Sequence, residues 1–187
     1  MKKRIFDILM STVLLVSFFV PIVLIIIIIK MTSKGPAIHW SKRIGIDNKI
    51  FLMPKFRSMF IETPQVATHL LANSEVFITP FGAFLRKTSL DELPQLLAVI
   101  KGDMSLVGPR PALFNQDDLV RLRSKFGIEK LRPGITGWAQ INGRDDLSIA
   151  DKVNFDKEYL VNYNLLLDFK ILFLTVFRVL QSKGVRH

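Results

Sequence analysis

The predicted fold class is α/β: an N-terminal re-entrant membrane helix, then a small cytoplasmic α+β domain with amphipathic helices at the membrane interface. Three observations predict it. An uncharged apolar run occupies residues 8–29, with Pro21 inside it and basic residues on both sides. Beyond residue 35, short strand-like runs alternate with longer runs of helical period. The last long run, residues 165–182, is apolar yet interrupted by Asp168, Lys170, Thr175 and Arg178. A length of 187 residues suffices for one compact domain beside one membrane segment, since domains run to about 100–150 residues. The division falls after Lys34: residues 1–34 are the membrane helix with its flanks, and residues 35–187 are the domain with its membrane-surface C-terminal helix.

The apolar run meets the roughly 20-residue length that a helix needs to cross a bilayer. It has no small-residue cleavage site and ends in a row of isoleucines before Lys30, so it is read as retained. Lys2, Lys3 and Arg4 precede it, and Lys30 and Lys34 follow, which puts both ends on the cytoplasmic side. Pro21 removes an intrahelical hydrogen bond near the middle and bends the helix back. An ordinary spanning helix is the alternative, because proline is common in membrane helices. Asp7, at the edge of the run, needs a cation, and Lys3 or Arg4 one turn away is expected to supply it.

Residues 37–40 and 49–53 read as the strands of a hairpin around Gly45, Ile46, Asp47 and Asn48. Residues 63–84, broken by Pro64 and Pro80, have room for a short helix. Ser89, with Glu92 three residues on, has the form of a capping box that opens a helix through Leu93, Leu96, Leu97 and Ile100, and Gly102 stops it. Residues 104–107 read as a short strand, and Gly108-Pro109-Arg110-Pro111 as a rigid loop presenting one guanidinium. A polar helix over 116–125 precedes a glycine-punctuated loop, 132–144, that encloses a short strand and can approach a ligand closely. Helices over 149–162 and 165–182 complete the chain. The charges of the second place it at the membrane surface or against the re-entrant segment; a buried core helix is the alternative that periodicity allows.

The 26 Lys and Arg against 16 Asp and Glu give +10, a balance that favours phosphorylated ligands, nucleic acid or the inner leaflet without choosing among them. The absence of cysteine excludes disulfides, thiolate zinc sites and cysteine nucleophiles, and leaves His39, His69 and His187 as the only imidazoles. With no Walker A sequence, dinucleotide fingerprint or Ser-His-Asp order, phosphoryl-type transfer is the chemistry that survives. Asp91 and Glu92 sit where a helix N-terminus keeps anions ionised, and an ionised Asp is what attack on phosphorus requires. Completing a cap is the blander role open to the same pair. Arg86, Lys87, Arg110, Lys55 and Arg57 together neutralise a diphosphate in the functional reading, and the carboxylates hold Mg²⁺ as a bridge to it.

Lys55-Phe56-Arg57-Ser58-Met59, Ser89-Leu90-Asp91-Glu92-Leu93-Pro94-Gln95, the run from Lys101 through Gly108-Pro109-Arg110-Pro111, Arg132-Pro133-Gly134-Ile135-Thr136-Gly137 and Asn142-Gly143-Arg144 occur in this order. A set of long ordered motifs is far more specific than any one of them. The sequence resembles the bacterial sugar transferase family, the small monotopic phosphoglycosyl transferases, over about residues 3–185. The resemblance implies a re-entrant helix and a catalytic domain on the cytoplasmic face of the bacterial inner membrane. It implies UDP-sugar and polyprenyl phosphate as substrates, membrane lipid and no nucleic acid as partners, and Mg²⁺ as cofactor, and it leaves a homo-oligomer open. Asp91 becomes the nucleophile that takes the phosphosugar and releases UMP, with Glu92 helping to hold the metal. Arg86 and Arg110 bind phosphates, Lys55 and Asp156 lie around the site, and Gly134, Thr136, Gly137 and Arg144 lie near nucleotide or sugar. The chain departs from many members at Val20, where they carry Ser before the membrane proline. A glycosyltransferase that releases UDP and a non-catalytic, membrane-anchored anion-binding protein are the competing readings.

Overall fold

The computed structural model describes residues 2–63, 74–143 and 146–180. It opens with two helices, α1 (Lys2–Ser17) and α2 (Phe19–Thr32), bent by 62° relative to each other. Pro21 is the cause: it has no N–H for the Ser17 carbonyl, and its ring crowds that oxygen. The ladder resumes with the Ile22 amide on the Phe18 carbonyl at 2.9 Å, so the break falls just ahead of the proline. No single described helix is long and apolar enough to cross a membrane; the bent pair together passes that test of length and composition.

The bend sends the two halves to different parts of the core. α1 lays Phe6, Met10 and Leu14 against Val99, Met104, Leu106 and Ile171, while α2 seats Ile25 and Ile29 against Ala37, Phe56 and Leu85. Each such side chain contributes about 1.5–3 kcal/mol on full burial. The outer faces stay apolar and open, with Val16 72 % and Val20 63 % exposed.

Strands β1 (Ile38–Ile44) and β2 (Ile50–Phe56) form the expected hairpin, longer than its sequence signal, with Ile44 opposite Ile50. Its turn places Asp47 and Asn48 at φ 53° and 58°, which short polar side chains tolerate. Helix α3 (Pro80–Thr88) starts with Pro80 behind Thr79, whose hydroxyl accepts from the Gly82 amide at 2.9 Å. Of the mixed stretch expected to hold a helix, residues 64–73 lie outside the described residues.

Two local expectations are corrected. Ser89 does not cap a helix ahead of it: it ends α3 in the left-handed region (φ 57°), and its side chain makes no capping hydrogen bond. Leu90–Glu92 form a 3-10 turn, and the next helix, α4 (Gln95–Lys101), begins only after Pro94, whose fixed φ suits a helix start. Asp7 pairs with neither Lys3 nor Arg4. It is buried and accepts from the Ser105 hydroxyl at 2.8 Å and the Leu106 amide at 3.3 Å. Arg4 instead donates to the Val99 and Ile100 carbonyls at the end of α4, and Lys3 reaches Asp168.

β3 (Ser105–Val107) pairs in parallel with β4 (Gly134–Thr136), Val107 opposite Thr136. Helix α5 (Asp117–Lys125) lies between them in sequence. Besides the expected strand, the glycine-punctuated loop contains the short helix α6 (Trp138–Ile141). Helix α7 (Ile149–Asn162) is capped by Ser148 on the Asp151 amide at 3.1 Å. The last described helix, α8 (Leu165–Leu180), buries one of its charges: Asp168 is paired with Lys3 at 2.6 Å and with the Tyr159 hydroxyl at 2.6 Å, while Lys170 and Arg178 are exposed. Outward it presents Leu166, Phe169, Phe173 and Phe177. With Leu166 81 % exposed, α8 is no fully buried core helix.

Candidate active site

The 3-10 turn between α3 and α4 carries Asp91 and Glu92, and β2 brings Lys55 across to them. The Lys55 ammonium lies 2.8 Å from Glu92 Oε1 and 3.9 Å from Asp91 Oδ2. From the other side, Arg110 donates to the same Glu92 oxygen through both Nη atoms, at 3.3 and 3.4 Å. Asp91 is 8 % exposed. Burial pushes its carboxyl above the usual range, Lys55 acts most strongly against that, Glu92 pushes it up, and Arg86 and Arg110 pull it down. The helix-dipole argument from sequence is therefore not what governs Asp91; low dielectric against a ring of cations is. Buried acids with specific charge partners are frequent at functional sites.

The structure thus brings together Asp91, Glu92, Lys55, Arg86 and Arg110. Arg57 goes elsewhere: buried, it donates to the Ser33 and Lys34 carbonyls at 2.9 and 2.6 Å, fixing the end of α2, and Lys87 faces solvent. Thr136 is buried with its hydroxyl 2.7 Å from that of Thr175 on α8. Gly134 donates its amide to the Pro109 carbonyl at 2.9 Å, and a Cβ on Gly137 would collide with the Gly108 carbonyl oxygen. These glycines let β4 and the Gly108 loop pack backbone on backbone. Asp156 is buried on α7 in an ion pair with Arg123, Nη2 to Oδ2 at 2.6 Å. Burial raises its carboxyl, and the Arg123 guanidinium opposes the rise. Arg144 lies outside the described residues.

Sequence reasoning missed Arg43 and Arg123. Arg43, on β1, donates to the Pro111 carbonyl at 3.2 Å. Its guanidinium is pushed down to about 10 by burial and by Arg110, with Glu92 opposing. A signal existed for Arg123: it stands one helical turn after Leu119 on the inward face of α5, where an arginine asks for a buried acid.

The model of the bacterial sugar transferase family matches residues 1–182. The chain belongs to that family. An uncharacterized sugar transferase, EpsL, of Bacillus subtilis is 42 % identical over 185 residues, covering 99 % of this chain and 90 % of that protein. The exopolysaccharide production protein ExoY of Rhizobium meliloti is 38 % identical over 200 residues, covering 98 % and 88 %. A UDP-glucose:undecaprenyl-phosphate glucose-1-phosphate transferase of Escherichia coli is 41 % identical over 190 residues; the match covers 97 % of this chain but 41 % of that longer relative. The family match contains the Asp91 turn, the Lys55 strand and the Arg110 loop together.

The Mg²⁺ implied by the resemblance can be tested against the donor set. Asp91 and Glu92 offer adjacent hard oxygens, and among the described residues no group of three or more His, Asp or Glu side chains converges to enclose an ion. Magnesium commonly takes one or two carboxylates and completes its shell with water and substrate phosphate. The pair fits such an open site.

Proposed function

We propose that the chain transfers a sugar phosphate from a UDP-sugar to polyprenyl phosphate in two steps, with Asp91 as nucleophile. The observation that carries this reading is a buried carboxylate facing Lys55, with Arg86 and Arg110 acting on it and Glu92 beside it. A carboxylate so surrounded can stay ionised near a phosphorus centre while the cations offset the donor's charge. An Asp91 oxygen attacks the sugar-linked phosphorus; the bond from that phosphorus to the bridging oxygen breaks, and UMP leaves with its electrons. An oxygen of the polyprenyl phosphate then attacks the same phosphorus, the bond to Asp91 breaks, and the carboxylate re-forms. Splitting a transfer between two anions in this way replaces one hard step with two easier ones. Lys55, Arg86 and Arg110 supply positive charge at the phosphates, and Glu92 holds Lys55 and Arg110 in place. Mg²⁺, held by Asp91 and Glu92, would neutralise phosphate charge when bound.

The membrane arrangement belongs to the same reading. Lys3 on Asp168 and Arg4 on the end of α4 dock the start of α1 onto the domain that follows α2. This docking supports a re-entrant pair whose two ends lie on one face of the bilayer, the cytoplasmic one by the basic flanks. The outward apolar sides of α1, α2 and α8 are then the lipid-facing surface. Incubation with UDP-sugar, Mg²⁺ and undecaprenyl phosphate is expected to yield UMP and a polyprenyl diphosphate sugar; release of UDP would overturn the proposal in favour of a simple glycosyltransferase.

A further inference from the structure

The loop that carries Arg110 is gripped by its carbonyls, with donors from α1, α7, β4, α5 and β1. Val107 accepts from Lys3 at 3.1 Å and from the Tyr159 hydroxyl at 3.3 Å, and Pro109 accepts from the Gly134 amide at 2.9 Å. Arg110 accepts from Arg123 Nη1 at 2.8 Å, Pro111 from Arg43 at 3.2 Å, and Ala112 from the Ile44 amide at 3.0 Å. The grip on Arg110 itself differs from the others in construction. Arg123 commits Nε and Nη2 to Asp156 Oδ2, at 2.9 and 2.6 Å, and gives Nη1 to the Arg110 carbonyl. A guanidinium is a rigid planar fork, so two arms fixed on a buried carboxylate fix the direction of the third. Buried ion pairs contribute little net stability compared with apolar side chains of the same shape. Direction is what this one supplies.

We propose that Arg123, oriented by Asp156, is the positioning residue for Arg110: it fixes the backbone from which the Arg110 guanidinium meets the donor's phosphates. What Arg110 binds rests on the function proposed above; the grip on its carbonyl does not. Asp156 then acts through Arg123 and not on the substrate directly.

The test uses the full chain and two readouts. Amide hydrogen exchange is expected to quicken at Gly108, Arg110 and Ala112 in Arg123→Ala and Asp156→Asn, with the β1–β2 hairpin unchanged. In a double-mutant cycle on UMP release, Arg123→Ala is expected to lower kcat/KM by about tenfold or more, as loss of a hydrogen bond from a charged donor does. It should add little in an Arg110→Ala background. Should Arg123→Ala fail to fold, Arg123→Lys takes its place: a lysine can keep the charge pair with Asp156 but not the fork, so the same loss is expected. Equal factors in both backgrounds, or wild-type exchange in the loop, would overturn the inference. If the wild-type chain releases no UMP, the proposed function falls, while the exchange measurement still decides whether Arg123 and Asp156 hold the loop.

Discussion

Lys55 sets how far burial can raise the Asp91 carboxyl, because it is the foremost of the cations acting against that rise. A nucleophile that must be ionised gains activity as pH climbs through its pKa. Replacing Lys55 with Gln removes a downward pull, so the acidic limb of the kcat/KM profile is expected to move to higher pH, with the loss larger at pH 6 than at pH 9. Glu92→Gln removes an upward push and is expected to move the same limb to lower pH. An unmoved limb in both variants would mean that these neighbours do not tune Asp91. At this scale the sequence made Asp91, Glu92, Lys55 and Arg110 visible, because each stands in a recognisable motif, and Arg86 because it lies just upstream of one. It hid the partners of buried charges: Asp156 lies between Val153 and Tyr159 on the buried side of α7, and only the fold shows that Arg123 meets it. Asp7 was misassigned for the same reason, since its partners are about a hundred residues away.

Among the elements, β4 and the Gly108 loop are joined by backbone contact, which makes Gly137, like Gly134 and Gly108, a sensitive position. Gly137→Ala forces a Cβ against the Gly108 carbonyl. It is expected to cost about 1–3 kcal/mol, as overpacking does, and to lower both Tm and the kcat/KM for the donor by displacing Arg110. Unchanged melting and turnover would show that the two segments part without consequence. The hairpin and helices α5, α7 and α8 were legible from period and turn residues. The turn at Ser89 was not: a capping-box pattern there competes with Pro94, and the proline decides where α4 begins. Helix α6, four residues long, is too short to show a period.

For the whole molecule, the bend of 62° and the docking of Lys3 and Arg4 lead to one topological expectation. Single cysteines placed at Lys2 and Lys34 in an otherwise cysteine-free chain are expected to react with an impermeant reagent from the cytoplasmic face alone. A Lys2 site labelled from the periplasm would contradict the re-entrant arrangement. Sequence showed the apolar run and its proline, but the tie between the N-terminus and α8 is a tertiary feature that no local pattern records. That tie places the outward apolar sides of α1, α2 and α8 and the Asp91 site on one body, which the proposed transfer onto a membrane-held acceptor requires. The central claim is the covalent role of Asp91, and intact-mass analysis after incubation with donor and Mg²⁺ but no acceptor tests it most directly. The account predicts UMP release together with a mass gain of one sugar phosphate, mapped to the peptide containing Asp91 and lost in Asp91→Asn. UMP formed only when polyprenyl phosphate is present, with no adduct at any time, would contradict it.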